Sequence, residues 1–450
     1  MTMGFTTFRM TGSLLLPLVV VSAFMRAAEP ISFVRQIAPL LAKRCLVCHS
    51  ARVAEGRVDL ENYASLLRAG AKGKTVVPGS AQDSLLYLAL ADGSMPQESD
   101  PFSADQLNLV RKWIDSGAPL DAAVDPEDSL WNILPREPHP LPPQQYPFPV
   151  PISCLAFSPD GKWVASSGYH EVLLWEVSSG RLWKRLPQVA QRIFAIDFAP
   201  NGTCLAVASG TPGRVGETQL FDLATGNLKR TYLTTRGPLF AVRFSPDGGR
   251  LATAGKDRVI RVFDATDGSL LQRLPDHHKQ VLDLAWSPDG SQLASAGHDK
   301  NAKVFDSRGG QQLSTYHKSA ESDFAGLVYG VTFAPDGERV VSCGNDRHIR
   351  IWRASDAKLL RRIDTHDATV FRVVVTPDGQ IFSCSADHTV RVHSLDTGKL
   401  LRTFADHSEW VYSIAVHPAS KTFASGSFDG EIRIRRIDDG RLLHAFIATP

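Results

Sequence analysis

Cysteine and methionine are both scarce in this chain of 450 residues, which contains six cysteines and five methionines. Four of the cysteines stand singly downstream of residue 150, so the chain lacks the second cysteine pair of a zinc site. Charge of neither sign is in excess, and the formal net charge of +2 gives no indication of a nucleic-acid or strongly anionic partner. The apolar run from Leu14 to Phe24 is shorter than the roughly 20 residues of a membrane-spanning helix.

Residues 1–28 predict an export signal. Arg9 places a positive charge before the apolar run, and the small residues around Val21-Ser22-Ala23 offer a cleavage site. We therefore expect a periplasmic or otherwise exported protein. If the leader stays uncleaved it would act as a thin anchor, and only then would a membrane be a partner.

The single cysteine pair, Cys45 and Cys48, is followed at once by His49. Cys-x-x-Cys-His is the attachment site of a c-type haem, in which both thiols add to porphyrin vinyl groups and the histidine binds the iron. A thioredoxin-like pair would follow a strand, whereas residues 33–42 have helical spacing and lead directly into Cys45. The motif therefore predicts one covalent haem c with His49 as an iron ligand. Another metal at this pair is the alternative.

Met95 is the one methionine that lies beyond the leader region. It stands in Asp92-Gly93-Ser94-Met95-Pro96-Gln97, a polar, turn-rich loop where an exposed thioether has no packing role, although methionine most often fills gaps in a core. We therefore predict Met95 as the second iron ligand, which would give a higher reduction potential than a second histidine. A histidine ligand or an open sixth position are the alternatives.

Helical spacing dominates residues 29–125. Apolar residues from Phe33 to Leu41 share one face, and Ser84–Leu88 predicts a second short helix. Ser103 to Gln106 reads as the capped start of a third helix, which Gly117-Ala118-Pro119 ends. We predict a small all-α domain in which the porphyrin supplies part of the core.

This region resembles the cytochrome c domain named after the planctomycete bacteria, which occurs near the start of large exported proteins. The resemblance runs through Ile37-Ala38-Pro39-Leu40-Leu41, Val77-Pro78-Gly79-Ser80, Ser84-Leu85-Leu86, Met95-Pro96 and Trp113-Ile114-Asp115-Ser116-Gly117-Ala118-Pro119. It implies that Cys45 and Cys48 hold the haem, with His49 proximal and Met95 distal. The family usually has a second proline after the ligand methionine, whereas this chain has Gln97.

Prolines crowd residues 126–151 and predict a stiff, extended linker. From residue 152 to residue 450 the sequence repeats at intervals of 41 to 47 residues. The seven related segments are Phe157-Ser158-Pro159-Asp160-Gly161, Phe198-Ala199-Pro200-Asn201-Gly202, Phe244-Ser245-Pro246-Asp247-Gly248, Trp286-Ser287-Pro288-Asp289-Gly290, Phe333-Ala334-Pro335-Asp336-Gly337, Val375-Thr376-Pro377-Asp378-Gly379 and Val416-His417-Pro418. This period is typical of a four-stranded blade, with Pro-Asp-Gly turning between two strands. The chain is therefore predicted to be multidomain, with the small all-α domain followed by an all-β seven-bladed propeller.

The array resembles the WD-repeat family over all seven units. The family's Trp-Asp position is occupied, mostly with substitutions, by Trp175-Glu176, Phe221-Asp222, Phe263-Asp264, Phe305-Asp306, Trp352-Arg353, His393-Ser394 and Arg435-Arg436. Polar residues that recur once per blade are Asp257, Asp299, Asp346, Asp387, Asp429, His278, His366 and His407. The resemblance implies that they pin each blade, since a catalytic site is built once. Because the last unit has its own outer strand, the propeller could close without an exchanged strand.

Two insertions, Gly210–Glu217 and Lys318–Gly326, fall in connections that emerge on the same face of a propeller. Loops carry function on rigid scaffolds, so this face is the predicted surface for a protein partner, although length variation without function is an equal alternative.

Three functions are compatible with these patterns. The leading hypothesis is a mono-haem electron carrier that exchanges electrons with a redox partner protein while the propeller docks a protein. A haem-propeller oxidoreductase with a substrate or second cofactor in the propeller is the enzyme alternative, so whether catalysis occurs stays open. An interaction scaffold with a non-essential haem domain is the third.

Overall fold

The computed structural model describes residues 30–46, 48–49, 55–97, 100–122, 124–135, 138–274, 277–317 and 326–450. The chain divides into two units, one ending at Leu130 and one running from Trp131 to Pro450. The predicted leader and most of the predicted insertion at 318–326 lie outside the described residues. The predicted domain boundaries at residues 28, 125 and 151 stay predictions. Among the described residues, no helix is both long and apolar enough to cross a membrane.

Short helices build the N-terminal unit. They are a π-helical turn Phe33–Ile37, α1 Ala38–Arg44, α2 Tyr63–Leu66, α3 Leu85–Ala91, α4 Ala104–Asp115 and, at the junction, α5 Leu130–Ile133, with 3₁₀ turns Glu55–Arg57 and Ala81–Asp83. The predicted capping box is present on α4, where the Ser103 and Gln106 side chains bond to each other's backbone N–H groups. The all-α prediction needs correction, because strands β1 Ala69–Gly70 and β2 Gly73–Lys74 pair as a small hairpin.

The π-helical turn Phe33–Ile37 and α4 pack on each other. The Phe33 ring stacks on Trp113 with centroids 5.3 Å apart and meets Tyr63 edge-on at 5.2 Å. The polar ends of both partner rings are satisfied, since Trp113 Nε1 donates to the carbonyl of Pro119 and the Tyr63 hydroxyl to that of Ala118. These contacts make a small aromatic core that closes the unit.

Seven four-stranded antiparallel sheets form the predicted propeller, which the structure confirms. The first three blades are β3 Leu155–Phe157, β4 Trp163–Ser167, β5 Val172–Glu176, β6 Leu182–Leu186; β7 Arg192–Phe198, β8 Cys204–Thr211, β9 Val215–Asp222, β10 Leu228–Thr235; and β11 Leu239–Phe244, β12 Arg250–Gly255, β13 Ile260–Asp264, β14 Leu270–Leu274. The fourth and fifth are β15 Val281–Trp286, β16 Gln292–Gly297, β17 Asn301–Asp306, β18 Gln312–His317; and β19 Val328–Phe333, β20 Arg339–Gly344, β21 His348–Arg353, β22 Leu359–Asp364. The sixth and seventh are β23 Val370–Val375, β24 Gln380–Ser385, β25 Val390–Ser394, β26 Leu400–Phe404; and β27 Val411–His417, β28 Thr422–Ser427, β29 Glu431–Arg436, β30 Leu442–Ile447.

The Pro-Asp-Gly segments form the turns between first and second strands, as predicted. In the third blade, Ser245 Oγ donates to Asp247 Oδ1 at 2.5 Å, and the same oxygen accepts the N–H of Gly249. Gly248 takes a φ of 75°, which a residue without Cβ adopts readily. In the seventh blade, which lacks Pro-Asp-Gly, Lys421 adopts the positive φ at the corresponding turn.

The propeller closes without an exchanged strand, because each sheet consists of four consecutive strands. At the seam between blades one and seven, the N–H of Ile152 donates to the carbonyl of Ser427 at 3.0 Å. Ser413 Oγ donates to the carbonyl of Ile152 at 2.8 Å. The Trp175 and Phe446 rings pack across the same seam, 4.8 Å apart.

A repeated hydrogen bond joins neighbouring blades all round the propeller. In each blade the third residue of the outer strand bonds to a backbone carbonyl in the turn before the next blade's outer strand. The donors and their acceptor residues are Lys184 to Leu223 and Ala224, Arg230 to Asp267, Gln272 to Arg308, Ser314 to Ala354, Arg361 to Asp396, Arg402 to Ile437 and Asp438, and His444 to Ser178. The last of these closes the seam.

The proline-rich residues 138–151, here called the strap, lie on the propeller. The Tyr146 hydroxyl donates to the fully buried carboxylate of Glu171 at 2.6 Å. Arg185 donates to both oxygens of the same carboxylate, from Nε and from Nη2, each at 2.7 Å. His139 Nε2 lies 2.6 Å from Glu217 Oε2 on the second blade. The strap is therefore fastened by charged groups that are largely removed from water.

Candidate haem site and docking surface

The end of α1 positions the cysteine pair. The N–H of Cys45 donates to Leu41 at 2.8 Å as the last helical bond, and the chain then turns so that the N–H of His49 reaches the Cys45 carbonyl at 3.0 Å. The His49 carbonyl accepts the N–H of Leu60 at 2.7 Å. Backbone bonds therefore hold both ends of the motif in one tight turn.

The two thiols differ in exposure. Cys45 is buried and Cys48 is half-buried. Burial raises the pKa of Cys45 to about 11, although the neighbouring Arg44 acts in the opposite direction. Since the thiolate is the form that oxidises, Cys45 stays a neutral thiol near pH 7 and is poorly reactive toward disulfide formation. The Cys45 sulfur is therefore a free thiol, which is the form that covalent attachment of a haem consumes.

The donor set fits a haem better than a bare metal ion. His49 Nδ1 is buried and has no hydrogen-bond partner among the described residues, so this ring has unused bonding capacity. Across the part of the chain that the structure describes, no group of three or more His, Cys, Asp or Glu side chains is placed to hold an ion. Two thiols and one imidazole match the needs of a covalently attached porphyrin.

Met95 lies in the loop that follows α3. Its N–H donates to the carbonyl of Ala89 at 3.0 Å, which ties the loop to the helix end. The sequence predicted an exposed thioether, and the structure gives a half-buried Met95 that is followed by the half-buried Pro96 and flanked by the exposed Ser94 and Gln97. Asp92 and Ser94 form a local turn on the solvent side, so the neighbourhood is polar as predicted.

Arg44 connects the cysteine motif to the chain beyond Met95. Its Nη1 donates to the carbonyls of Asp100 and Pro101, each at 3.3 Å, and its guanidinium lies 4.9 Å from the ring centroid of Phe102. The residue beside Cys45 therefore holds a segment that begins five positions after Met95.

The recurrent Asp and His residues of the propeller pair within their own blades. His366 bonds to Asp387 and Ser383, each at 2.8 Å. In the fourth blade the prediction of His278 is wrong by one residue: the buried His277 bonds to Asp299 at 3.0 Å and to Ser295 at 2.7 Å, while the His278 side chain is exposed. Burial opposes ionisation of Asp299, but the bond to His277 lowers its pKa to about 2.

Blades without that histidine use other partners. Asp257 pairs with Arg261, and Asp346 with Arg350, each at 2.5 Å. In the sixth blade His393 occupies the Trp position and bonds through Nε2 to Thr365 at 2.8 Å. Burial lowers the pKa of His393 to about 4. The recurrent aspartates pair inside their own blades, which is the behaviour of a structural device, whereas His393 Nδ1 has no hydrogen-bond partner among the described residues.

One end of the propeller carries a cluster of aromatic side chains that the sequence did not single out. Here called the aromatic patch, it comprises Tyr329, Phe371, Trp410, Tyr412 and Phe428. Successive ring centroids lie 4.6 to 6.2 Å apart across blades five to seven. Trp410 is 44% exposed and Phe428 is 46% exposed. The signal was present in sequence, because aromatics recur at the second residue of several first strands.

The aromatic patch lies at the blade ends where first strands begin and second strands end. The predicted insertion Gly210–Glu217 lies at this same end, and the structure shows it as an extended hairpin of β8 and β9. The other insertion lies outside the described residues, apart from Gly326. The end predicted as a partner surface therefore carries the exposed aromatics of the propeller's last three blades.

Two family models match the chain. The model described as "WD domain, G-beta repeat" matches residues 145–176, 226–264, 268–306, 310–353, 357–394 and 398–435, about half of the chain. The model described as "Planctomycete cytochrome C" matches residues 45–99, from Cys45 past Met95.

Curated relatives match parts of the chain. The COMPASS component SWD3 of Saccharomyces cerevisiae is 25% identical over 126 residues, which cover 28% of this chain and 38% of the relative. The WD repeat-containing protein VIP3 of Arabidopsis thaliana is 30% identical over 141 residues, 28% of this chain and 43% of the relative. The WD repeat-containing protein SL1-17 of Schistosoma mansoni is 28% identical over 174 residues, which cover 38% of this chain and 55% of the relative. The chain thus spans about half or less of the length of these relatives. It belongs to the WD-repeat family and carries a planctomycete-type cytochrome c domain ahead of its propeller.

Proposed function

We propose that this protein is an exported mono-haem c-type cytochrome that carries single electrons, and that its propeller docks a protein partner. The observation that supports the first half is the donor set Cys45, Cys48 and His49, held in one backbone turn within a region that matches a cytochrome c model. When bound, a c-type haem supplies one reversible redox step at its iron.

Each residue of the site has a separate role. Cys45 and Cys48 would anchor the porphyrin through thioether bonds, and the neutral thiol of Cys45 suits that attachment. His49 and Met95 would bind the iron, each from a loop tied to a helix end by backbone hydrogen bonds. Backbone bonds that hold both loops would keep the His49 and Met95 side chains in place when the iron changes oxidation state.

The haem assignment is tested by variants made in a host that attaches c-type haem. Met95→Ala should keep the covalent haem but lose the sulfur-to-iron absorption band of the oxidised protein. Gln97→Ala, two positions away, is the matched control and should keep that band. A Met95→Ala protein with an unchanged spectrum would remove Met95 from the iron and leave His49 or another side chain as the second ligand.

The docking half of the proposal is supported by the aromatic patch. Tyr and Trp side chains dominate the energetics of protein interfaces, and a contiguous exposed apolar cluster on a soluble domain indicates a contact surface. The patch spans three blades that are locked together by inter-blade bonds such as Arg361 to Asp396 and Arg402 to Ile437, so its shape is fixed before a partner arrives.

Docking through the aromatic patch is tested by measuring the affinity of the full-length protein for a partner protein that has been captured with it. Trp410→Ala should weaken binding by more than tenfold, as expected for truncation of a central interface tryptophan. Trp183→Ala is the matched control, because Trp183 is equally exposed at 44% and lies at the opposite end of the blades. Equal loss of binding in both variants would contradict docking through the aromatic patch.

A further inference from the structure

A pocket of about 480 Å³ lies at the seam between the first and seventh blades. Residues of the first blade on one side and of the outer strand of the seventh on the other form its lining, namely Gly161–Trp163, Glu176–Ser178 and Arg441–His444. The volume falls within the roughly 300–1,000 Å³ typical of small-molecule sites. Because its walls come from opposite sides of the seam, any ligand bound there touches the first and last blades together.

Trp163 gives the pocket a flat apolar wall. It stacks on Trp183 with ring centroids 4.0 Å apart and planes 17° from parallel. The other six blades hold no aromatic residue at the first position of their second strand, where they carry Cys204, Arg250, Gln292, Arg339, Gln380 and Thr422. The stacked tryptophan pair is therefore a feature of the first blade beside the pocket, and the propeller fold does not require it.

Polar groups of both signs complete the lining. The Arg441 guanidinium makes no hydrogen bond or ion pair with any residue that the structure describes, although it borders the pocket. Glu176 is half-buried, with Oε2 accepting from Ser179 at 2.5 Å. Lys162 pairs with Asp160 at 3.3 Å. Arg441 is therefore the cation of the pocket that lacks a counter-charge.

We propose that this pocket binds an acidic sugar residue, such as a uronate of an anionic glycan. A pyranose has a flat face of C–H groups that packs on the indole of Trp163. Its carboxylate pairs with Arg441, whose planar fork suits that group. Its hydroxyl groups donate to Glu176. A nucleoside monophosphate fits less well, because its phosphate carries close to two negative charges, which face the single charge of the Arg441 guanidinium and the carboxylate of Glu176.

The proposal is tested by titrating the full-length protein with digalacturonate, and with the neutral disaccharide maltose, while following tryptophan fluorescence. Digalacturonate should bind and quench fluorescence, and maltose should bind at least tenfold more weakly because it lacks the carboxylate. Arg441→Gln, an exposed position, should weaken digalacturonate binding by about tenfold or more and leave the weak maltose binding unchanged. Lys399→Gln, the corresponding position of the sixth blade, should bind like the parent protein.

Two further results complete the test. Trp163→Gln, which installs the residue that two other blades carry there, should abolish binding of both sugars. Digalacturonate at one fixed concentration should raise the melting temperature of the parent protein more than that of Arg441→Gln, because stabilisation by a ligand grows with its affinity for the folded state. Absence of digalacturonate binding, full affinity in Arg441→Gln, or tighter binding of adenosine monophosphate than of digalacturonate would each overturn the proposal.

Discussion

Replacing Tyr146 with phenylalanine tests whether the strap stabilises the propeller. The variant removes one hydroxyl that donates to the buried carboxylate of Glu171 at 2.6 Å and accepts the N–H of Tyr169 at 2.9 Å. Burial, and then the bond to Glu171, raise the pKa of Tyr146 well above its ordinary value, so the hydroxyl is a proton donor at every accessible pH. Loss of a hydrogen bond to a charged buried group costs about 2 kcal/mol.

That cost corresponds to a melting temperature about 4 °C lower, since large domains lose roughly 2 °C per kcal/mol. Urea denaturation and calorimetry of the full-length protein measure both quantities. Tyr169→Phe is the matched control, because Tyr169 lies in the first blade, as Glu171 does. Its hydroxyl makes one long hydrogen bond, accepting from Gln191 Nε2 at 3.5 Å, so its loss should change stability by less than about 0.5 kcal/mol. Equal stability of Tyr146→Phe and the control would show that the strap merely lies on the propeller.

Three further predictions concern buried imidazoles and the seam. Burial lowers the pKa of His393 to about 4, so on acidification the unfolded chain binds a proton before the folded chain does. The free energy of unfolding should therefore fall by up to roughly 3 kcal/mol as the pH is lowered from about 6.5 to about 4. His393→Phe should flatten this pH dependence, measured by urea denaturation at each pH. The lowered pKa of Asp299 stabilises the fold above the ordinary pKa of an aspartate. Asp299→Asn keeps an oxygen acceptor but loses the negative charge that accepts from His277, so it should cost about 1–2 kcal/mol at neutral pH, and this deficit should close as the pH falls toward 2. His444→Ala should cost about 1 kcal/mol in urea denaturation by removing the seam-closing bond, whereas His298→Ala, which removes no such bond, should cost less.

The propeller was predictable because the residues that determine its turns lie close together in the sequence. Each Pro-Asp-Gly fixes a turn within five residues, and the period between turns gives the number of strands per blade. For the third blade the sequence predicts strands at residues 240–245, 250–254, 259–264 and 270–274, and these agree with β11 to β14 within one residue at each end. The single-residue error at His277 and His278 has a simple cause: two consecutive histidines satisfy the same spacing, and only packing decides which one turns inward.

Features that depend on distant pairs were not predictable. The sequence indicated an extended proline-rich segment, but the partners Tyr146 and Glu171 are joined only when the blade folds. The aromatic patch needs three blades to meet before its members become neighbours. In the N-terminal unit, α2 and the β1–β2 hairpin were missed because elements of four and two residues are too short to show a period.

Intact-mass spectrometry of the exported protein from a haem-attaching host tests the central claim most directly. The proposed function predicts a chain heavier by the mass of one haem, with the modification lost in Cys45→Ser,Cys48→Ser. A polypeptide of unmodified mass would contradict the assignment of Cys45, Cys48 and His49 to a haem and leave only a docking propeller.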